Sequence, residues 1–238
     1  MTDRTVLGMS RRAKGRLDWR TRLSAMVMAA AAVMIGADTA EAHPHVFVEA
    51  KSELVFDGTG DLSAVRHAWR FDAPFSSFAV QGLDADQNGI LTQEELSELA
   101  QVNVESLKEY DNFTFLSHDG EDLSFADAED YWLDYSGGRL TLYFVLPLAE
   151  PLALAGDSVT LEVYDPEYFV AFEMTKQQPF TLIDAPAECV LNTQLAGELD
   201  PMTATQLAAI PSSQREIPDQ YRAMTDVLAN EALVTCAK

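Results

Sequence analysis

Basic residues are scarce in this chain. Sixteen lysines and arginines stand against 38 aspartates and glutamates among 238 residues, a net charge of −22. Such a balance cannot neutralise a phosphate backbone, which excludes a nucleic-acid binder, and anionic lipid repels it. Cysteine is scarcer still. Cys189 and Cys236 are the whole complement, so no C-x-x-C redox pair exists. The four histidines are His43, His45, His67 and His118. With neither G-x-S-x-G nor H-E-x-x-H present, no constellation for nucleophilic or metalloprotease chemistry stands out, and the chain reads as a non-enzyme. After residue 42 no apolar run approaches the roughly 18 residues of a membrane-spanning helix.

The start of the chain has a different character. Residues 1–22 carry Arg4, Arg11, Arg12, Lys14, Arg16, Arg20 and Arg22 against Asp3 and Asp18. An apolar run from Leu23 to Gly36 follows, then the small-x-small triplet Ala40-Glu41-Ala42. This ordering predicts a secretory signal peptide over residues 1–42, cut after Ala42, with the product in the periplasm. The Arg11-Arg12 pair lacks the apolar residues of a twin-arginine signal. Seven basic and four acidic groups leave with the leader, so residues 43–238 carry 9 against 34, a net −25. In an exported chain an even pair of cysteines reads as a disulfide, Cys189–Cys236. Closing that loop is worth about 4 kcal/mol on the chain-entropy model.

The chain is 47% hydrophobic, enough to bury a core. Residues 45–56 and 62–71 read as a hairpin around Asp57-Gly58-Thr59-Gly60, with Val65, His67, Trp69 and Phe71 on one face. Residues 74–109 switch to helical period. Strand character returns at Phe113–Leu116, with a turn at His118–Glu121. Two further hairpins are predicted, Tyr131–Tyr135 with Arg139–Leu146 and Val159–Tyr164 with Tyr168–Glu173. Short strands at Phe180–Ile183 and Cys189–Leu191 precede helices expected at Pro201–Ala209 and Pro218–Ala232. Strands that follow one another without interleaved helices argue against a parallel α/β sheet. The expected fold is therefore α+β: one antiparallel, sandwich-like β-rich domain over 43–238, with an inserted helix-loop-helix at 74–109 and a C-terminal helix.

Residues 84–95, D-A-D-Q-N-G-I-L-T-Q-E-E, meet every fixed position of the EF-hand rule D-x-[DN]-x-[DN]-G-x5-E. Calcium takes six to eight oxygens, and alternate loop positions turn inward. The expected ligands are Asp84, Asp86 and Asn88, the Ile90 carbonyl, Thr92 directly or through water, and both oxygens of Glu95. Gly89 permits the bend. Leu91 is apolar, as where two such loops pair, although no second loop is found. The flanks are apolar at helical spacing, with Phe75, Phe78, Ala79, Gly82 and Leu83 before the loop and Leu96, Leu99, Ala100, Val104 and Leu107 after it. Thr92 and Glu95 have capping-box spacing. A lone site in an exported protein suggests weak affinity, on the order of 10⁻⁴–10⁻³ M.

Two of the four histidines, His43 and His45, begin the expected mature chain. With the new α-amine, and His67 or Glu49 from the adjoining strands, they could hold zinc, nickel, cobalt or copper. Pro44 has no amide hydrogen, which blocks the square-planar mode that deprotonates successive amides. The other reading is a terminal strand with incidental histidines. His67 alone reads as a strand residue beside Trp69, and His118 as a solvated turn residue.

The stretch HPHVFVEAKSELVFDGTGDLSAVRHAWRFD at 43–72, the D-x-D-x-N-G loop, YDPEYFVAFE at 164–173 and the late cysteine resemble a bacterial family of unknown function. Its members are exported proteins often described as the periplasmic component of an uncharacterised ABC-type transport system and often encoded beside nickel/cobalt permeases. The resemblance covers most of residues 43–236 and implies a role near metal transport. Two functions are expected from it and from the residues together. One is a periplasmic calcium-binding accessory of a transition-metal transport system, with an inner-membrane permease as partner. The other is a calcium-stabilised structural or interaction domain without a transition-metal role.

Overall fold

The computed structural model describes residues 44–210, 217–218, 221 and 225–238. The expected leader and His43 lie outside them. No described helix is long and apolar enough to cross a membrane.

Two sheets share one core. The first has strand order β5-β6-β2-β1-β8. Its strands are β1 (Val46–Phe56), β2 (Leu62–Phe71), β5 (Glu129–Ser136), β6 (Arg139–Leu152) and β8 (Val170–Met174). A further strand, β9 (Phe180–Ile183), also pairs with β1. The second sheet has order β10-β11-β7-β3-β4. It is built from β3 (Thr114–His118), β4 (Glu121–Asp122), β7 (Ser158–Val163), β10 (Cys189–Gln194) and β11 (Asn230–Cys236). Among the described residues the α-helices are α1 (Ala73–Ala79), α2 (Ser97–Leu107) and α3 (Pro201–Ala208).

Alternation explains the first hairpin. Along β1, Val48, Ala50, Ser52, Leu54 and Phe56 turn inward, and β2 answers with Val65, His67, Trp69 and Phe71. Trp69 is fully enclosed, edge-on to Phe144 at 4.8 Å and Phe172 at 4.9 Å between ring centroids. From the second sheet Leu116, Val159, Leu161, Ala232 and Val234 complete the same core. The β5–β6 hairpin turns at Gly137 and Gly138, both at positive φ, as a two-residue loop requires.

Three expectations are corrected. First, Val159–Tyr164 and Tyr168–Glu173 do not form a hairpin. β7 belongs to the second sheet, whereas β8 crosses to the first and runs parallel to β1. Asp165 turns the chain there. Its 5% exposed carboxylate accepts the N–H groups of Glu167, Phe169 and Val170. Second, the helix expected over Pro218–Ala232 is replaced in its last part by a short 3-10 turn, Asp226–Leu228, and by β11. Ala232, Val234 and Cys236 alternate into the core, and pairing with β7 and β10 outweighs helix propensity. Third, helix does not run continuously into the acidic loop. Val80 caps α1, Gly82 takes φ +81°, and Phe78 is 73% exposed rather than in the core.

The disulfide joins Cys189 to Cys236. Because the C-terminal segment is a strand, the bond links directly opposed residues of β10 and β11 and not a helix to a sheet. Such bonds persist in oxidising compartments.

Candidate metal centre

Two structural features position the acidic loop. Upstream, Asp72 caps α1 by accepting Phe75 N–H at 2.7 Å, and its other oxygen accepts Phe47 N–H at 2.8 Å, tying the helix start to β1. The Ser76 hydroxyl then accepts Leu140 N–H at 2.9 Å and holds α1 against β6. Downstream, α2 buries Ala100 and Val104, with Leu96 before it, as its spacing predicts. Leu91 packs on this core rather than across to a second loop.

Within the loop, backbone N–H groups organise the carboxylates. Asp84 accepts Asn88 N–H at 3.1 Å and Gly89 N–H at 2.9 Å. Gly89 takes φ +81°, which lets its N–H turn back toward Asp84. Asp86 accepts Asn88 N–H at 3.1 Å and its side-chain amide at 2.7 Å. Glu95 bridges the two ends of the loop. One oxygen accepts Ala85 N–H at 2.9 Å, the other accepts Thr92 N–H at 3.0 Å and the Thr92 hydroxyl at 2.9 Å. Glu95 N–H donates back to Thr92 Oγ1 at 3.3 Å, so the capping box is formed. These bonds, first the Thr92 amide and then its hydroxyl, hold the Glu95 carboxyl below the usual carboxylate range.

The outcome is that one oxygen each from Asp84, Asp86 and Glu95 lies within 4.8 Å of the others. Two further expected ligands, Asn88 and Thr92, are turned to partners within the loop. Asn88 Oδ1 accepts Ile90 N–H at 2.7 Å, and the Thr92 hydroxyl is turned onto Glu95. Asp86 is exposed and Asp84 and Glu95 are half-buried, and all three offer hard carboxylate oxygens of the kind that could hold a divalent cation.

Among the described residues, His45 and His67 do not converge. The His45 ring lies tilted against Phe169 at 4.6 Å between centroids, and the His45 backbone N–H donates to the Phe169 carbonyl at 2.8 Å. His67 pairs with Ser52 across the hairpin, seven residues along β1 from His45, or about 23 Å of strand. Its ring is 1% exposed. The Thr114 hydroxyl donates to Asn112 O at 2.8 Å, so at 3.2 Å it accepts from His67 Nε2–H, and Nδ1 accepts the Ser52 hydroxyl at 2.9 Å. Burial pushes the His67 pKa down to about 3. His67 therefore drops out of the expected set of His43, His45 and His67, and His43 lies outside the described residues. His67 is a neutral core residue with both nitrogens engaged, and it cannot reach an ion held by His45.

A second group that the sequence reading did not single out is His118 with Asp119 and Asp157, whose ligand atoms also lie within 4.8 Å of one another. Only the β3–β7 pairing brings Asp157 to His118, and no local spacing signals it.

The fold and these groups define a two-sheet α+β domain bearing an acidic loop whose carboxylates could hold a metal ion. The chain belongs to the DUF1007 family of proteins of unknown function, whose profile matches residues 28–236. A Haemophilus influenzae protein described as uncharacterized is 21% identical over 195 residues, 82% of this chain and 91% of that relative.

Proposed function

We propose that the protein is an exported, periplasmic calcium-binding domain in which residues 84–95 hold one ion that clips α2 to the sheets. The observation that carries this reading is the convergence of Asp84, Asp86 and Glu95, with Glu95 bridging both ends of the loop. Replacing the N–H donors on Glu95 by the ion, together with the Ile90 carbonyl, Asn88 and Thr92 or water, supplies the oxygen shell that calcium requires. The leader-like residues 1–42 and the disulfide support export. An accessory role beside a transition-metal permease rests on the family resemblance alone. The calcium-stabilised domain is the better-supported form, because His67 is committed to the core.

The test is thermal unfolding of wild type and Glu95→Gln, in millimolar calcium and in chelator. Calcium at ten times its dissociation constant adds about 1.4 kcal/mol to the wild type, and magnesium adds less. A rise of equal size in both proteins would mean that calcium only screens the acidic surface.

A further inference from the structure

We infer that His118, Asp119 and Asp157 form a second metal site, separate from the 84–95 loop, that takes a zinc-type transition ion. The imidazole sets this group apart from the general acidity of the surface. His118 ends β3, and Asp157 immediately precedes β7, its antiparallel neighbour. His118 Nδ1 lies 3.0 Å from the Ser158 carbonyl. A carbonyl only accepts, so Nδ1 carries a hydrogen and Nε2 is the nitrogen left to face a metal. That is the arrangement by which a backbone carbonyl orients a metal-binding histidine.

Nε2 faces oxygen. Nε2 lies 3.5 Å from Asp157 Oδ2 and 3.9 Å from Asp119 Oδ2. Two carboxylates meeting one ring nitrogen in this way need positive charge between them, which a metal ion or a proton on Nε2 supplies. Two ligands on a tetrahedral zinc, at about 2.1 Å each, are roughly 3.4 Å apart. The observed separations need to close by only a few tenths of an ångström.

The second carboxylate is held as firmly as the ring. Asp157 Oδ1 accepts Ser158 N–H at 2.8 Å, which turns Oδ2 toward Nε2. Its backbone is fixed by Asp157 N–H to Leu154 O and by Cys236 N–H to Asp157 O, both at 3.0 Å. Asp119, in the β3–β4 turn at φ +52°, supplies the exposed third ligand and leaves the outer face open to water. One nitrogen with two carboxylate oxygens favours zinc, cobalt or nickel over calcium, which takes an all-oxygen shell.

Zinc is titrated calorimetrically into the purified protein with calcium held at millimolar concentration, so that the acidic loop does not compete. Wild type and Glu95→Gln should each bind one zinc at this site, and His45→Ala should leave that event unchanged. His118→Ala should abolish it. Asp157→Asn, which keeps the Ser158 hydrogen bond, should weaken it about tenfold or more while the melting temperature in chelator stays near wild type. Cobalt(II) should give visible absorption in wild type that His118→Ala lacks. The inference is overturned if His118→Ala titrates like wild type, or if wild type binds no zinc, in which case a proton alone bridges the three groups. Failure of the calcium reading would show instead in Glu95→Gln and leave this result untouched.

Discussion

Lowering the pH should destabilise this protein through one buried ring. His67 lies between Ser52 and Thr114 with its pKa pushed from 6.5 to about 3 by burial. The unfolded chain takes up a proton near pH 6.5, whereas the folded chain refuses it until about pH 3. The unfolded state therefore binds more protons in this window, and stability is full above pH 6.5 and falls as the pH drops. Each pH unit is worth about 1.4 kcal/mol, so roughly 2 kcal/mol is lost between pH 7.5 and 5. Substituting His67→Gln removes the titrating group while leaving a donor for Thr114 and an acceptor for Ser52. It loses the ring stacked on Phe144 at 4.9 Å, a cost of about 1–3 kcal/mol at pH 7.5. Urea unfolding of both proteins at steps from pH 7.5 to 5 isolates the effect. Asp165, whose carboxyl burial raises, works in the opposite sense but is common to both. The wild type should lose about 2 kcal/mol more than His67→Gln across that range. Parallel profiles would refute the neutral, enclosed His67 and reopen it as a charged or metal-bound residue.

Breaking the disulfide by Cys189→Ser with Cys236→Ser should cost about 4 kcal/mol in urea unfolding, and peptide mapping without reductant should recover the two cysteines joined. Asp72→Ala, which removes the cap of α1 and the acceptor of Phe47 N–H, should cost about 1–2 kcal/mol, with Asp72→Asn milder. Mass spectrometry of secreted material should place the mature N-terminus at His43. A start before residue 38 would count against the leader and the periplasmic location.

What could be read in advance was local. The β1–β2 hairpin follows from alternation around a short polar turn, the β5–β6 hairpin from Gly137-Gly138, and the buried face of α2 from Leu96, Ala100 and Val104. What could not be read depends on partners far along the chain. β8 has the pattern of a hairpin strand, yet Asp165 takes three backbone N–H groups and redirects it to lie parallel to β1. β11 contains alanine and leucine suited to a helix, but its place between β7 and β10 makes it a strand. The acidic loop was legible because its ligand spacing is contiguous. The approach of His118 to Asp157 was not, since it exists only through strand pairing. The separation of His67 from His45 was hidden for the complementary reason. His67 lies opposite Ser52 at mid-register with its ring in the core, whereas His45 precedes β1, seven residues away from Ser52.

The central claim, that residues 84–95 bind calcium, is tested most directly by calorimetric calcium titration of wild type, Glu95→Gln and Thr92→Ala. Glu95 supplies both oxygens that close the loop, whereas water can take the place of Thr92. Wild type should bind one calcium there with a dissociation constant on the order of 10⁻⁴–10⁻³ M. Thr92→Ala should weaken that event modestly, and Glu95→Gln should abolish it. Equal isotherms for wild type and Glu95→Gln would place calcium elsewhere on the acidic surface and contradict the account.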